Sequence, residues 1–369
     1  MALSEYLLAW RTTQLPDREV VDALVDPTHA GPSSQLAAVL AQWPGSYYWS
    51  DEPDGRHLVL TRPATRRRER WVLHGALFLA TLFTTTFVGA VFDGRMPLDP
   101  NPIALITGTY PFPPGVVHAW ISGLKFSLPL LAILLCHEFG HYLTARRYQL
   151  DVSPPYFIPV PFVPWSIGTM GAFIRLRTIL SDRRQLLDVG IAGPIGGLLV
   201  ALPVLVVGLR LSHPYPGYGP GLLVMMGNDT NPYPIGDSLL TFALRHLIHG
   251  EAPAILLDPM GFAGWLGIIV TMYNLLPISQ LDGGHILYAA LPRWHQRIAL
   301  AFWALIVLLG TLWKGWYLWG FLVLLLSRGR LGHPPVLDAH RPLPRSRRTL
   351  AWVALVLFLL TFAPVPFKI

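Results

Sequence analysis

Long apolar runs alternate along the chain with short polar connections crowded with arginine. The runs at Leu73 to Phe92, about Trp120 to Ala145 and about Leu187 to Leu209 are each long enough to cross a hydrocarbon core about 30 Å thick as a helix. Further runs follow at about Gly261 to Ile278, at Ile298 to Leu312, up to Leu326 after the interfacial turn Trp313 to Trp316, and at Leu350 to Phe362. Arg66 to Arg68 with Arg70, the pairs Arg146-Arg147 and Arg183-Arg184, then Arg293 with Arg297, Arg328 with Arg330, and Arg345 with Arg347 and Arg348 all fall on one side under this alternation. Positive flanks mark the cytoplasmic face, so the N-terminus is expected there. The pattern predicts an all-α polytopic membrane protein with about six to seven transmembrane helices.

Two stretches interrupt that pattern. Residues 1–65 have soluble character, with an amphipathic opening (Leu3, Tyr6, Leu7, Trp10) and the alternating run His57 to Thr61, which suits a strand. They are read as a small N-terminal α/β soluble domain that docks or caps. Between Val152 and Thr178, Pro154, Pro155, Pro159, Pro161 and Pro164 exclude a spanning helix. That segment is expected to be a membrane-associated β-hairpin, since irregular backbone is tolerated at membrane depth only where protein or a wet cavity surrounds it. Residues 70–330 then form the membrane core, and residues 331–369 a linker with the C-terminal helix. The polar region before Leu257 carries one amphipathic helix, about Gly236 to His249.

Composition narrows the chemistry. Hydrophobic residues make up 52% and charged residues 13% of the chain, far from the soluble average. The single cysteine, Cys136, excludes an internal disulfide framework and the multi-cysteine zinc folds, so any metal must be held by histidine and carboxylate. The net charge of +7 sits beside apolar runs rather than among exposed aromatics, which argues for membrane flanks and against nucleic acid. No n-region and h-region of signal-peptide form precede the first run. An integral protein of a bacterial plasma membrane is expected.

Within the second run, His137-Glu138-Phe-Gly-His141 sets two imidazoles one helical turn apart on one face. Ionisable groups inside a bilayer are costly, and three within five residues call for a common partner, which one Zn2+ ion per chain supplies. The bland alternative is that these groups cap the helix end or snorkel to its surface. A catalytic zinc takes three protein ligands and keeps an open position, so a third ligand must come from elsewhere. Asp282, in Asn274-Leu-Leu-Pro-Ile-Ser-Gln-Leu-Asp282-Gly-Gly-His285, is the candidate, with His285 as rival and an ordinary Asp-Gly turn as the local alternative. Glu138 then serves as general base rather than ligand. Asn274 is a candidate to bind substrate or oxyanion, or else a structural amide between helices. Gly168 and Gly171 belong to the hairpin, whose edge either clamps an extended substrate or shields the site from lipid. His246 and His249, three apart, read as a solvated helix face.

The His-Glu-x-x-His motif at 137–141 together with the Asn-x-x-Pro-x-x-x-Leu-Asp-Gly-Gly run at 274–284 resembles the paired signatures of the site-2 protease family. Gly168-Thr-Met-Gly-Ala and Leu187-Asp-Val-Gly-Ile-Ala-Gly-Pro194 resemble the hairpin and third helix of its chloroplast-type and related bacterial branch. The similarity covers about Leu131 to Leu291. It implies zinc, a site approached from the cytoplasmic side, and cleavage of membrane-protein substrates within their transmembrane segments. Met170 stands where that branch commonly has an aromatic residue, and no PDZ-like insertion is evident. Two other readings compete: a catalytically silent metal-binding scaffold, and a divalent-metal transporter. Convergence of the ionisable groups near one depth argues against the transporter. Substrate identity and oligomeric state are not legible.

Overall fold

The computed structural model describes residues 3–15, 18–29, 34–63, 69–97, 107, 109, 112–160, 166–177, 180, 182–227, 231–334, 336 and 342–368. The arginines at 66–68, parts of the expected external loop after Asp93, and Pro161, Pro164 and Thr178 of the expected hairpin segment lie outside them. The chain divides into two compact units.

The first unit comprises residues 1–69, 145–153 and 175–180. Strands β1 (Leu7–Gln14), β2 (Arg18–Val25), β3 (Ser46–Glu52) and β4 (Gly55–Pro63) form an antiparallel sheet in the order β1-β2-β4-β3, with helix α1 (Ser34–Ala41) between β2 and β3 in sequence. Tyr6, Val25, Leu36, Leu40, Leu58 and Leu60 make its core. Each such side chain contributes about 1.5–3 kcal/mol through burial. Arg177 closes the unit, its Nη1 and Nη2 donating to Glu69 at 2.6 and 3.2 Å and Nη1 to Asp151 at 3.1 Å.

The second unit is mainly helical. Helix α2 (Trp71–Phe92) is uncharged, and its Thr81, Thr85 and Thr86 hydroxyls donate to carbonyls one turn back, so the hydroxyls need no water. A short helix α3 (Val116–Ser122) leads through Gly123 into α4 (Leu124–Arg147), which Thr85 and Ser127 tie to α2 by a 2.6 Å hydroxyl pair. Strands β5 (Tyr156–Pro159) and β6 (Thr169–Phe173) form a two-stranded antiparallel hairpin beside α2. Helix α5 (Arg183–Leu211) begins at Asp182, whose carboxylate accepts from the Gln185 amide at 2.9 Å.

The region between α5 and the next long helix, legible in sequence only as polar with one amphipathic helix, also holds a four-stranded sheet in the order β7-β10-β8-β9. Its strands are β7 (His213–Tyr215), β8 (Gly221–Val224), β9 (Tyr233–Ile235) and β10 (Ala254–Leu256). The amphipathic helix, α6, spans Leu239–His249 and starts at a Ser238/Thr241 capping box. Helices α7 (Pro259–Asn274), α8 (Asp282–Ala290), α9 (His295–Leu309), α10 (Gly315–Leu326) and α11 (Arg345–Thr361) complete the unit. α5 is central, packing most extensively against α7 and α8 and also against α6 and α11.

Among the described residues, three helical runs, Trp71–Phe92, Val116–Arg147 and Arg183–Leu211, are long and apolar enough to cross a membrane. The later apolar segments, expected as full spans, form helices of 16, 15, 12 and 17 residues. Each is shorter than the roughly 20 residues of an upright crossing. The interruptions have local causes: Pro277 forbids continuation of α7, and the Gly310 to Lys314 turn separates α9 from α10.

Candidate metal centre

His137, Glu138 and His141 sit on α4 where it is enclosed, 4%, 7% and 7% exposed respectively. The i, i+4 spacing stacks the two imidazoles on one face, with Nε2 atoms 3.2 Å apart. Asp282 arrives from far along the chain. α7 ends at Asn274, and a seven-residue turn, closed by bonds such as Leu281 N–H to the Ile278 carbonyl, hands the chain to α8 with Asp282 as its first residue. Its Oδ2 lies 3.2 Å from His137 Nε2 and 3.3 Å from His141 Nε2. Three donor atoms therefore form a nearly equilateral triangle in a buried setting.

That triangle can be tested against zinc. Ligands about 2.0–2.1 Å from a tetrahedral ion lie about 3.3 Å from one another, which matches the edges of 3.2 to 3.3 Å. The donor set, two neutral imidazoles and one carboxylate, suits a catalytic rather than a closed site. His141 is held in the required tautomer: its Nδ1–H donates to the Val189 carbonyl at 2.7 Å, which leaves the Nε2 lone pair for the triangle. Backbone proximity is also required. A Cβ at Gly193 of α5 would stand 2.0 Å from His141 Nε2, and one at Gly197 would stand 3.2 Å from His137 Nδ1. These glycines let α5 support the imidazole pair directly.

The remaining sequence candidates separate. Glu138 faces the outgoing end of the hairpin and accepts from the Ile174 amide. The Asn274 side-chain nitrogen is 3.2 Å from His137 Nε2, so this amide adjoins the triangle. His285, the rival third ligand, turns away: its Nδ1 is 2.7 Å from His333 Nε2, and His285 is not in the triangle. Gly168, at φ +79°, lies against α2, with its carbonyl accepting from Thr84 Oγ1 at 2.7 Å and no room for a Cβ, which would approach Thr84 and Thr85 backbone to 2.7 Å. Gly171, at φ +97°, has open space around it. Sequence reasoning missed Val189 and His333. A backbone carbonyl has no sequence signature, and His333 has no motif around it.

A second cluster lies in the first unit, where Asp22, Glu52 and His57 bring ligand atoms within 4.8 Å of one another. His57 uses both ring nitrogens there, Nδ1 with Asp22 at 2.8 Å and Nε2 with Asp54 at 3.2 Å.

Residues 125–312 match Peptidase family M50. The chain is 29% identical over 321 residues to the protein named probable zinc metalloprotease EGY1, chloroplastic, of Arabidopsis thaliana, a match covering 83% of this chain and 55% of the relative. It is 31% identical over 255 residues to probable zinc metalloprotease EGY2, chloroplastic, of Oryza sativa subsp. indica, covering 67% of this chain and 43% of the relative. The chain thus spans about half the length of the curated relatives it matches. No solved structure matches it. The match takes in α4 with both histidines, the hairpin, the supporting glycines of α5 and the turn that delivers Asp282, and it extends over half of the chain: this protein is an integral membrane member of peptidase family M50, the site-2 protease family.

Proposed function

We propose that this chain is an intramembrane zinc metalloprotease that cleaves membrane-protein substrates within their transmembrane segments. The observation that carries the reading is the buried triangle of His137, His141 and Asp282 donor atoms with Glu138 beside it. His137, His141 and Asp282 would hold one Zn2+ ion per chain. When bound, zinc supplies Lewis acidity, which polarises a peptide carbonyl and acidifies a water molecule. Glu138 takes the water proton on its carboxylate and passes it to the leaving amine. Asn274, next to the triangle, is positioned to donate a hydrogen bond to the oxyanion or the substrate backbone.

A peptide must be extended for attack, because a helix hides its carbonyls in its own hydrogen bonds. Among the described residues β6 pairs on one side only, with β5, and Met170 beside the open Gly171 is 75% exposed. Strand addition along this edge is the proposed mode of substrate capture. Gly168 serves it indirectly, by fixing the hairpin against α2.

The shorter helices α7, α9, α10 and α11 are proposed to complete a bundle of six to seven transmembrane segments, tilted or thinning the bilayer locally. The proposed division is a soluble domain at 1–65, the protease core at 70–330, and a linker with the C-terminal helix at 331–369. The N-terminal domain is proposed to lie on the cytoplasmic side, a reading supported by the placement of arginines beside the apolar runs. The relatives' names place those proteins in chloroplasts, which lends nothing to a bacterial plasma membrane.

The test compares purified wild type with Glu138→Gln in detergent, measuring bound zinc and cleavage of a transmembrane test substrate. The reading predicts equal zinc and cleavage lower by about 10²–10⁴-fold in the variant. Equal cleavage by both would refute the role of Glu138. Zinc uptake into vesicles without cleavage would favour the transporter, and zinc held without either activity the scaffold.

A further inference from the structure

Helix α6 (Leu239–His249) is built inside out. Its fully buried positions are polar, with Leu240, Leu244 and Ile248 half-buried beside them: Thr241 and Arg245 are buried, Arg245 pairs with Asp237 at 3.5 Å, and His249 Nε2 donates to the Leu209 carbonyl at 2.7 Å. Its exposed positions are Leu239, Phe242, Ala243, His246 and Leu247, the i, i+3, i+4, i+7, i+8 stripe of one helical face. Leu239 is 62% exposed, Phe242 52% and Leu247 81%. In water that face would leave three large apolar side chains unburied, each costing about 1.5–3 kcal/mol relative to burial.

Two contacts fix the position of this helix along α5 and α7. Its last residue, His249, bonds at Leu209, inside the end of the spanning helix α5. Just before its start, the Gly236 carbonyl accepts from Trp265 Nε1 at 2.8 Å. Trp265 lies six residues into α7, roughly 9 Å along the axis at 1.5 Å per residue. The Asp258 amide donates to Ser212 Oγ at 3.0 Å, so the end of α5 and the start of α7 are level with one another. α6 therefore lies below the rim that those two helix ends define. Beside it on α5, Val207 and Leu211 are 45% and 58% exposed with the exposed Arg210 on the same face, the mixture of apolar side chains and a cationic one expected where a spanning helix meets the membrane interface.

We infer that α6 is an interfacial helix whose Leu239, Phe242, Ala243 and Leu247 face inserts among the lipid acyl chains of the leaflet at the C-terminal end of α5. Asp237 holds the Arg245 charge on the protein side, so the one titratable side chain on the lipid face is His246, which lies within the stripe between Phe242 and Ala243. Among the described residues α6 packs against both α5 and α11, so lipid contact there anchors the outer ends of two helices that flank the core.

The experiment uses the full chain with Cys136→Ser, carrying one nitroxide-labelled cysteine at a time at position 242, 243, 247 or 251, in phosphatidylcholine vesicles. Glu251, whose side chain is 96% exposed just past the helix, is the aqueous control. Collision rates with molecular oxygen and with a water-soluble nickel chelate are read by power saturation. Oxygen exceeding nickel several-fold at 242 and 247, with the reverse at 251, is the expected result. Nickel exceeding oxygen at 242 and 247 would place the face in water and overturn the proposal. Exclusion of both reagents would overturn it too, in favour of a protein partner or a second copy. Position 243, where a small side chain is replaced, gives the same reading if the 242 variant does not fold. None of these readings depends on proteolysis, so they stand or fall apart from the proposed activity.

Discussion

Two clusters in this chain have nearly the same chemistry and opposite surroundings. His137, His141 and Asp282 have side chains only 5%, 9% and 15% exposed, and their three donor atoms converge at 3.2 to 3.3 Å. Around His57, by contrast, Asp22 and Asp54 are 44% and 64% exposed, and each takes one ring nitrogen. A proton satisfies the second cluster: protonated His57 bridges two carboxylates that water already solvates. In the first cluster His141 Nδ1–H is committed to the Val189 carbonyl, which turns its Nε2 toward the same Asp282 oxygen that faces His137 Nε2. Residue type alone therefore does not single out the proposed zinc site. Burial, and a His141 ring held from behind by Val189, set it apart.

The comparison is broken most severely by removing the carboxylate of the buried cluster. Asp282→Ala is expected to lose zinc and to lower cleavage by at least about 10³-fold, whereas His285→Ala, whose ring nitrogen pairs with His333 rather than with the triangle, keeps zinc within error. Metal analysis of the two purified variants separates the competing ligand assignments, and zinc loss in the second alone would reverse them.

A steric change behind the triangle comes next. Gly193→Val places side-chain atoms where His141 stands, since a Cβ alone would lie 2.0 Å from Nε2. Overpacking of this kind costs about 1–3 kcal/mol, and the displaced imidazole should weaken zinc retention against a competing chelator by roughly the matching 5- to 150-fold. A variant that retains zinc like wild type would show that α5 does not support the imidazole.

Asn274→Ala sharpens the picture by size of effect. If the amide stabilises an oxyanion, cleavage falls by about 10²–10³-fold with zinc unchanged; a structural amide costs about tenfold or less, with a lower melting temperature.

The smallest effects belong to the exposed cluster. His57→Ala or Asp22→Ala is expected to leave zinc content unaltered. The Asp22 hydrogen bond, and secondarily the Asp54 contact, raises the His57 pKa above its ordinary value near 6.5. A raised pKa favours the protonated, folded form, so its stabilisation is fully present below about pH 6.5 and is lost as pH rises through the higher folded value. Hydrogen-exchange protection factors of β2 and β4 in the full chain should accordingly fall as pH rises past neutrality. That slope should flatten in His57→Ala, and an unchanged slope would mean that the bridge contributes nothing.

Much of the buried site was legible because its two halves carry short-range grammar. The i, i+4 histidines announce a helical face, and the Pro277 break followed by Asp282-Gly-Gly announces a turn that ends an apolar run. Their meeting is a long-range contact, which local pattern can suggest only through shared membrane depth. The supports were not legible. Val189 acts through its backbone, the roles of Gly193 and Gly197 show only once α5 lies against α4, and His333 reaches His285 from a loop without periodicity. The β7 to β10 sheet escaped notice because its strands are three or four residues long, too short to show alternation. Helix α6 misled in another way. Its periodicity was visible, but a hydrophobic stripe does not say which side faces protein, and His249 proved to be bonded inward rather than solvated.

The central claim is that His137, His141 and Asp282 together hold one zinc ion beside Glu138. X-ray absorption at the zinc edge tests it most directly, applied to the purified wild type and Asp282→Ala. The account predicts about one zinc per wild-type chain, nitrogen and oxygen neighbours at about 2.0–2.1 Å with the outer scattering of two imidazoles, and loss of the metal in the variant. A spectrum with sulfur or with three imidazoles, or an unchanged spectrum and zinc content in Asp282→Ala, would contradict it.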